Sequence, residues 1–444
     1  MSPGRAAGRP GRIARSQPAL AWAASGAMAL TGPPDGAPVV TPGDLAGCAR
    51  DAIEALGLLA GDAWRGGALD GAALLGERAA ILGLGRHGTI SPGGACRLLP
   101  TATGWIAINL PRDDDLASIP AWLGEPLGGD PWDFVAERVA RRSAAPLVAR
   151  ARLLGLAAAE AVTPRVRPRP WCRVERCAPP VSRQRHREPL VVDLSSLWAG
   201  PLATHLLGLA GARVIKVESV HRPDGARRGA PAFYDLLNAG KESVAVDLRS
   251  AADRARLRAL IASSDVVVES ARPRALAQLG LDARELVASV PGLTWVGITG
   301  YGRTGRGANW IAFGDDAAVA AGLATATGIA GGAPSPLFCA DAVADPLTGM
   351  HAAVAALDSW RTGGGRLVDV ALRAVAAAAL ARGLGGGHAT VDVRRSRGPG
   401  AESAWEIVAD GRHQPVAPPR ARRASGVARA LGADTDTVLR GFTA

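Results

Sequence analysis

"VVDLSSLWAGPLATHLLGLAGARVIKVES", from Val191 to Ser219, reads as a strand, a Gly-Pro turn, a helical stretch and a second strand ending in Lys-Val-Glu. No G-x-G-x-x-G occupies the turn, so the usual dinucleotide signature is missing. Further Val/Ile-rich segments follow: "ESVAVDL", "SDVVVES" and "LTWVGITG". Between them lie the helical stretches "AADRARLRALIASS" and "RALAQLGLDARELVASV". Buried strands alternating with helices predict a doubly wound, Rossmann-like α/β domain with a parallel sheet. Ligands of such sheets bind at the carboxyl ends of the strands. The unusual residues fall there: Ser195 to Pro201, Lys216 with Glu218, Glu269 to Pro273, and Gly300 to Gly305.

The chain has 444 residues, is 48% hydrophobic and carries a formal charge of +11. Its basic residues are dispersed arginines, and Lys216 and Lys241 are the only lysines. Aromatics are 4%, without the basic–aromatic alternation that stacks bases, so no nucleic-acid partner is expected. A phosphate-bearing ligand suits the charge. Cys48, Cys96, Cys172, Cys177 and Cys339 form no regular framework. No second pair joins Cys172 and Cys177 to complete a metal site, so no metal is expected, and reduced thiols point to the cytoplasm. No stretch approaches the ~18–20 apolar residues of a membrane span.

Upstream of the sheet, residues 1–17 read as a disordered basic tail. Residues 18–165 contain small-residue helices around "TGPPDGAP", a Gly-rich loop "GLGRHGTISPGGACRLLP", the strand "GWIAINLP", and the long helical "PWDFVAERVARRSAAPLVARARLLGLAAAEAV". They predict a smaller α/β domain. Residues 166–188 are rich in Pro and Arg and read as a linker. Residues 189–375 hold the sheet domain, and 376–444 form a C-terminal tail.

Several segments together resemble the class III CoA-transferases, the family of formyl-CoA transferase, carnitine CoA-transferase and α-methylacyl-CoA racemase. They are "DLSSLWAGPLAT", "GARVIKVE", "LLNAGKESVAVDLRS", "SDVVVESARPRALAQLGLD", "GITGYGRTG", "VADPLTGMHAAVAAL" and "TGGGRLVDVAL", in family order. The resemblance implies transfer of coenzyme A between carboxylic acids through an aspartyl-CoA thioester. In "ADPLTGMH" the matching aspartate is Asp345. A carboxylate attacks a thioester to give a mixed anhydride, which the released thiolate then attacks. A helix N-terminus beside Asp345 favours its ionised form. The same Asp-Pro pair also reads as an ordinary helix start. By resemblance, Leu197, Trp198 and Ala199 line CoA, Val246 and Arg249 meet its adenine and phosphates, and Ser270, Ala271 and Arg272 complete the site. Arg249 and Arg272 also read as plain surface arginines. Lys216 and Lys241 have a local role at the strand ends, in the site or in their folding. Ser219, Ser270 and Gln278 depart from the family pattern at polar or basic positions. The implied partners are acyl-CoA and a carboxylic acid acceptor, with no resident cofactor, in a homodimer. The racemase branch needs a His before the catalytic Asp; "WIAFGDDAAVAAGL" has none and offers Asp315 and Asp316 instead. His351 reads as a packing residue. A non-catalytic acyl-CoA-binding or partner subunit of the same fold is the alternative from another class.

The order of parts is permuted. Residues 82–165 resemble the small domain that normally follows the catalytic Asp. Moreover, "AASGAMALTGPPDGAPVVTPGDLAGCARDAIEAL" resembles "AAVAAGLATATGIAGGAPSPLFCADAVADPLTGMHAAVAAL". The apolar start is thus a degenerate copy of an internal segment and not a signal peptide. Asp44 falls near the position of Asp345 and reads as a vestige. Small residues at Gly83, Gly93 and Gly94 leave room for an acyl group.

Overall fold

The computed structural model describes residues 17–164, 170–182, 188–384, 391–396 and 405–441. Residues 1–16 of the expected basic tail and much of the expected linker lie outside the described residues. Among the described residues, no helix is long and apolar enough to cross a membrane.

The N-terminal third builds a three-stranded antiparallel sheet, β1 (Cys96–Thr101), β2 (Gly104–Asn109) and β3 (Ala157–Glu160). Side chains alternate across it, as the strand period requires. Ile106 and Ile108 face a core with Trp122, Phe134, Val139 and Leu147. Ala107, Cys96 and Ala159 face the other way, onto Val319, Ala320, Ala324 and Phe338 of the sheet domain.

The stretch 131–162, expected as one long helical run, is instead two helices and a strand. Pro131–Ala140 ends near Arg141, and Ser143 precedes Ala144–Leu153. Gly155, with φ +78°, then turns the chain into β3. "AAAE" has helix-forming composition, yet pairing with β2 and burial on both faces outweigh that preference. Likewise "RALAQLGLDARELVASV" is two helices, Pro273–Gln278 and Ala283–Ser289, broken at Gly280 with φ +77° and restarted by the Asp282 cap.

The central sheet comprises β4 (Cys172–Arg176), β5 (Leu190–Leu194), β6 (Arg213–Ser219), β7 (Glu242–Val246), β8 (Val266–Glu269), β9 (Thr294–Thr299) and β10 (Arg366–Ala371). Its order is β4-β10-β9-β8-β5-β6-β7. All neighbours are parallel except β4, which runs antiparallel along β10. The segment read as a linker therefore supplies an edge strand. Its side chains are largely exposed and charged, so it carries no apolar alternation. The chain winds outward from β5 to β6 and β7, then returns to β8 on the other side of β5. The switch point lies between β5 and β8, where Ser196 N–H donates to Ser270 Oγ at 3.1 Å.

Residues from Ala21 to Ala79 do not form a core of their own. Trp22, Met28, Leu45, Leu56 and Leu75 share one with Leu202, Leu206, Leu347, Met350 and Val375. The helix Leu45–Ala60 packs along the helix Ala344–Arg361, so the two similar segments face each other. Thr31 Oγ1 accepts from Ala340 N at 3.0 Å, and Thr327 Oγ1 lies 3.3 Å from Thr41 Oγ1.

The tail expected after 375 begins inside the helix Leu372–Leu384. It continues as a small sheet, β11 (Val391–Arg395), β12 (Trp405–Ala409) and β13 (Arg412–Pro415). An extended strap follows, with Ala417 N bonded to Ala23 O at 2.9 Å and Arg422 Nε bonded to buried Glu77 at 2.9 Å. The final helix, Thr435–Arg440, sits at the β7 edge, where Ser243 N and Ala245 N donate to Asp434 and Thr435.

The turn before β10 shows how tightly this is packed. Gly364 has φ +66°, and a Cβ there would fall on the carbonyl of Gly292. Gly364→Ala should lower unfolding free energy by at least about 2 kcal/mol, read as a shift in denaturant midpoint.

Candidate active site at the switch point

The turn after β5 is held by a buried charge network. Asp193 is fully buried and accepts from Ser195 Oγ (2.5 Å), Thr204 Oγ1 (2.6 Å) and Lys241 Nζ (3.0 Å). Lys241 also reaches the carbonyl of Pro201 (3.0 Å) and Asn238 Oδ1 (3.0 Å). Burial opposes the charge of Asp193, but the two lysines and the hydroxyls win and hold its carboxyl below the usual range. Burial brings Lys241 down to about 8. Lys216 Nζ bridges the Ser195 carbonyl and Asp224, both at 3.0 Å. Asp224 in turn accepts from Leu197 N at 2.9 Å. Both lysines thus support the turn from below.

The turn itself is strained. Leu197, half exposed, sits at φ +72°, in the region that favours glycine. Trp198 and Ala199 are buried, with Trp198 packed edge-on against Phe233 at 5.3 Å. Any contact Trp198 and Ala199 make with a ligand therefore comes from backbone, whereas Leu197 is open to it. Val246 is also buried in the core, with its carbonyl bonded to Val220 N. Arg249, Ser270 and Arg272 are exposed, and Ala271 is partly so. Arg249 lies beside His221 and Asp247, at the end of β7. Ala271 N is pinned by Glu269 Oε2 at 2.7 Å, and Glu269 pairs with Arg303.

Asp345 lies in the first turn of Ala344–Arg361 and stays partly accessible. Its Oδ2 accepts from Gly314 N at 3.1 Å. A Cβ at Gly314 would lie 2.6 Å from that oxygen. One turn on, a Cβ at Gly349 would lie 2.6 Å from the Ala199 carbonyl, so the helix carrying Asp345 rests directly on the turn after β5. The loop before it holds two more residues at positive φ, Ala340 (54°) and Ala342 (43°).

Around Asp345 the charges are crowded. Burial pushes its carboxyl up to about 7; the Arg78 guanidinium and the Gly314 N–H oppose this, and Asp341 adds to it. Burial also drives Asp315 up to about 8 and Asp316 up to about 7. Asp315 accepts from Ala342 N at 2.9 Å, and Asp316 from Phe313 N at 2.8 Å and Asn109 Nδ2 at 3.4 Å. Arg78 forks onto Asp341 at 2.5 and 2.7 Å and lies 5.3 Å from the Trp198 ring centre. Among the expected acyl-room glycines, Gly83 and Gly94 face open space, while Gly93 presses on Arg78.

Sequence reasoning named Asp345 and the turn, but not Arg78, Asp193, Asp341 or Gly314. Arg78 is one arginine among many and gives no local signal. Asp44 caps its own helix through Gly47 N and pairs with Arg382 at 2.8 Å, away from Asp345. His351 packs on Trp171 and bonds the Leu347 carbonyl. Among the described residues, no His/Cys/Asp/Glu group is arranged to hold a metal.

Lys241→Met removes the direct ion pair of buried Asp193, leaving it only the hydroxyls and the more distant Lys216, and should cost about 3–5 kcal/mol in denaturant unfolding.

A family model described as CoA-transferase family III matches residues 188–435. A succinate–glutarate CoA-transferase of Agrobacterium fabrum is 33% identical over 208 residues, 43% of this chain and 52% of that protein. A succinyl-CoA–D-citramalate CoA-transferase of Chloroflexus aurantiacus is 31% identical over 205 residues, 43% of this chain and 51% of that protein. A crystal structure of a hypothetical protein from Mycobacterium tuberculosis shares 30% identity, with TM-score 0.39, over 43% of this chain and 56% of that one. The chain spans about half the length of the curated relatives it matches. The family match runs from the start of the turn-bearing strand β5 to the final helix and takes in more than half of the residues, and on that basis the chain belongs to CoA-transferase family III.

Proposed function

We propose that the protein transfers coenzyme A from an acyl-CoA to a carboxylic acid, with Asp345 as nucleophile. The observation that supports this most is the placement of Asp345: a partly accessible carboxylate, aimed by Gly314 N–H, on a helix seated against the turn after β5. The names of the relatives support the same reaction class.

The steps balance without an added proton or metal. An Asp345 oxygen attacks the thioester carbonyl, the C–S bond breaks, and CoA leaves as thiolate. The thiolate attacks the aspartyl carbonyl of the resulting anhydride and expels the donor acid as carboxylate. The acceptor carboxylate then attacks the aspartyl-CoA thioester. The freed thiolate takes the new acyl group and regenerates Asp345. Leu197, the backbone of Trp198 and Ala199, Ser270, Ala271 and Arg272 hold the CoA arm in this reading. Val246, through its backbone, and Arg249 meet the nucleotide end. CoA is a substrate here, not a resident cofactor. A cytoplasmic location suits the five free cysteines, and a homodimer is the assembly we expect. One relative bears the name succinyl-CoA–L-malate CoA-transferase alpha subunit, so light scattering of the purified chain is the check on assembly.

Incubation with a panel of acyl-CoA thioesters that includes succinyl-CoA, followed by intact mass, should give a hydroxylamine-sensitive increase in the wild type and none in Asp345→Ala. Unmodified wild type that still binds CoA would overturn the transferase reading in favour of a binding subunit. The nucleophile must be ionised. Adduct formation should therefore rise with pH through about 7 and fall about tenfold per pH unit below it. Gly314→Ala pushes the carboxylate aside and should slow the adduct by about a hundredfold.

A further inference from the structure

Arg78 lies outside the family match, in the N-terminal segment, on the short helix Glu77–Leu82. Three separate elements converge on its guanidinium. Asp341, in the loop leading to the Asp345 helix, takes it as a two-pronged fork. The Trp198 ring of the turn after β5 lies beneath it, and Gly93 of the Gly-rich loop sits so close that a Cβ would lie 3.0 Å from Nη2. Its neighbour Glu77 anchors the same helix to Arg422 of the C-terminal strap.

We propose that Arg78 is the positioning residue for Asp345: its fork on Asp341 fixes the strained 340–344 loop, and its charge offsets the acids gathered there. This rests on Asp345 as nucleophile. That step needs an ionised carboxylate held in one place, yet Asp341, Asp315 and Asp316 all crowd the same region. The groups acting on Asp345 are Arg78, Asp341 and the Gly314 N–H, and Asp345 in turn raises Asp316. Arg78 is the cation among them. A guanidinium is suited to this task, because its planar fork fixes direction while its charge persists at every working pH. The N-terminal segment thus completes the site of the sheet domain within one chain.

The test reads Asp345 ionisation without any acyl donor. A water-soluble carbodiimide with glycine ethyl ester labels protonated carboxyls, and the yield on the Asp345 peptide is followed against pH. The wild-type midpoint should lie at about 7. Arg78→Gln should raise it by about one pH unit or more. Asp341→Asn removes a like charge and should lower it. Arg78→Lys keeps the charge and should leave the midpoint near wild type, while slowing succinyl-CoA adduct formation through loss of the fork. A merely structural role would move Arg78→Gln and Asp341→Asn in the same direction, since both break the same fork. Shifts of equal sign, or no shift in either, overturn the proposal. Should Arg78→Gln fail to fold, an Asp341→Asn midpoint at or above wild type overturns it alone. Absence of an adduct even in wild type would refute the nucleophile reading, while the labelling midpoints still decide the role of Arg78.

Discussion

Asp193, near the end of β5, is fully buried, and its charge survives because Lys241, Ser195 and Thr204 surround it. An ionised carboxylate in such a place is tolerable only if every lone pair has a partner. The partners come from four places: the turn, the helix Ala199–Leu209, the β7 approach and, through Lys216 and Asp224, the end of β6. Satisfying one buried charge thereby fixes the relative positions of these elements. The strained Leu197 turn is the visible result. On that turn rests the helix that carries Asp345, through the Gly349–Ala199 contact.

Much of this was legible in the sequence. The Val/Ile runs of β5 through β9 announce a buried parallel sheet, and their carboxyl ends carry the unusual residues. Of the elements that escaped, two did so for opposite physical reasons. β3 is mostly alanine, whose helical preference is overridden by pairing with β2 and by burial. β4 is an edge strand with mostly exposed, charged side chains, placed in the sheet by backbone pairing with β10, and backbone pairing leaves no mark on composition. Arg78 was illegible because its meaning lies in a contact 263 positions away in sequence.

The two similar segments pair with each other in the fold. Thr31 and Thr327, each followed by glycine, meet the opposite segment: Thr31 receives Ala340 N–H, and Thr327 faces Thr41. The helices Leu45–Ala60 and Ala344–Arg361 pack side by side in a common core. The acids at the two helix starts are held differently: Asp345 accepts from Gly314 N of another segment. Asp44 caps its own helix through Gly47 N and pairs with Arg382.

Leu197, Ala340 and Ala342 share one property: each bears a Cβ where the backbone prefers none. Glycine at any of them would relax the chain and favour the folded state, yet would also widen the range of angles through which the turn and the Asp345 helix are presented. Stability and aim are therefore opposed at these three positions. A lineage selected only for thermal robustness would drift toward glycine there and lose the sharpness of its site before it lost its fold.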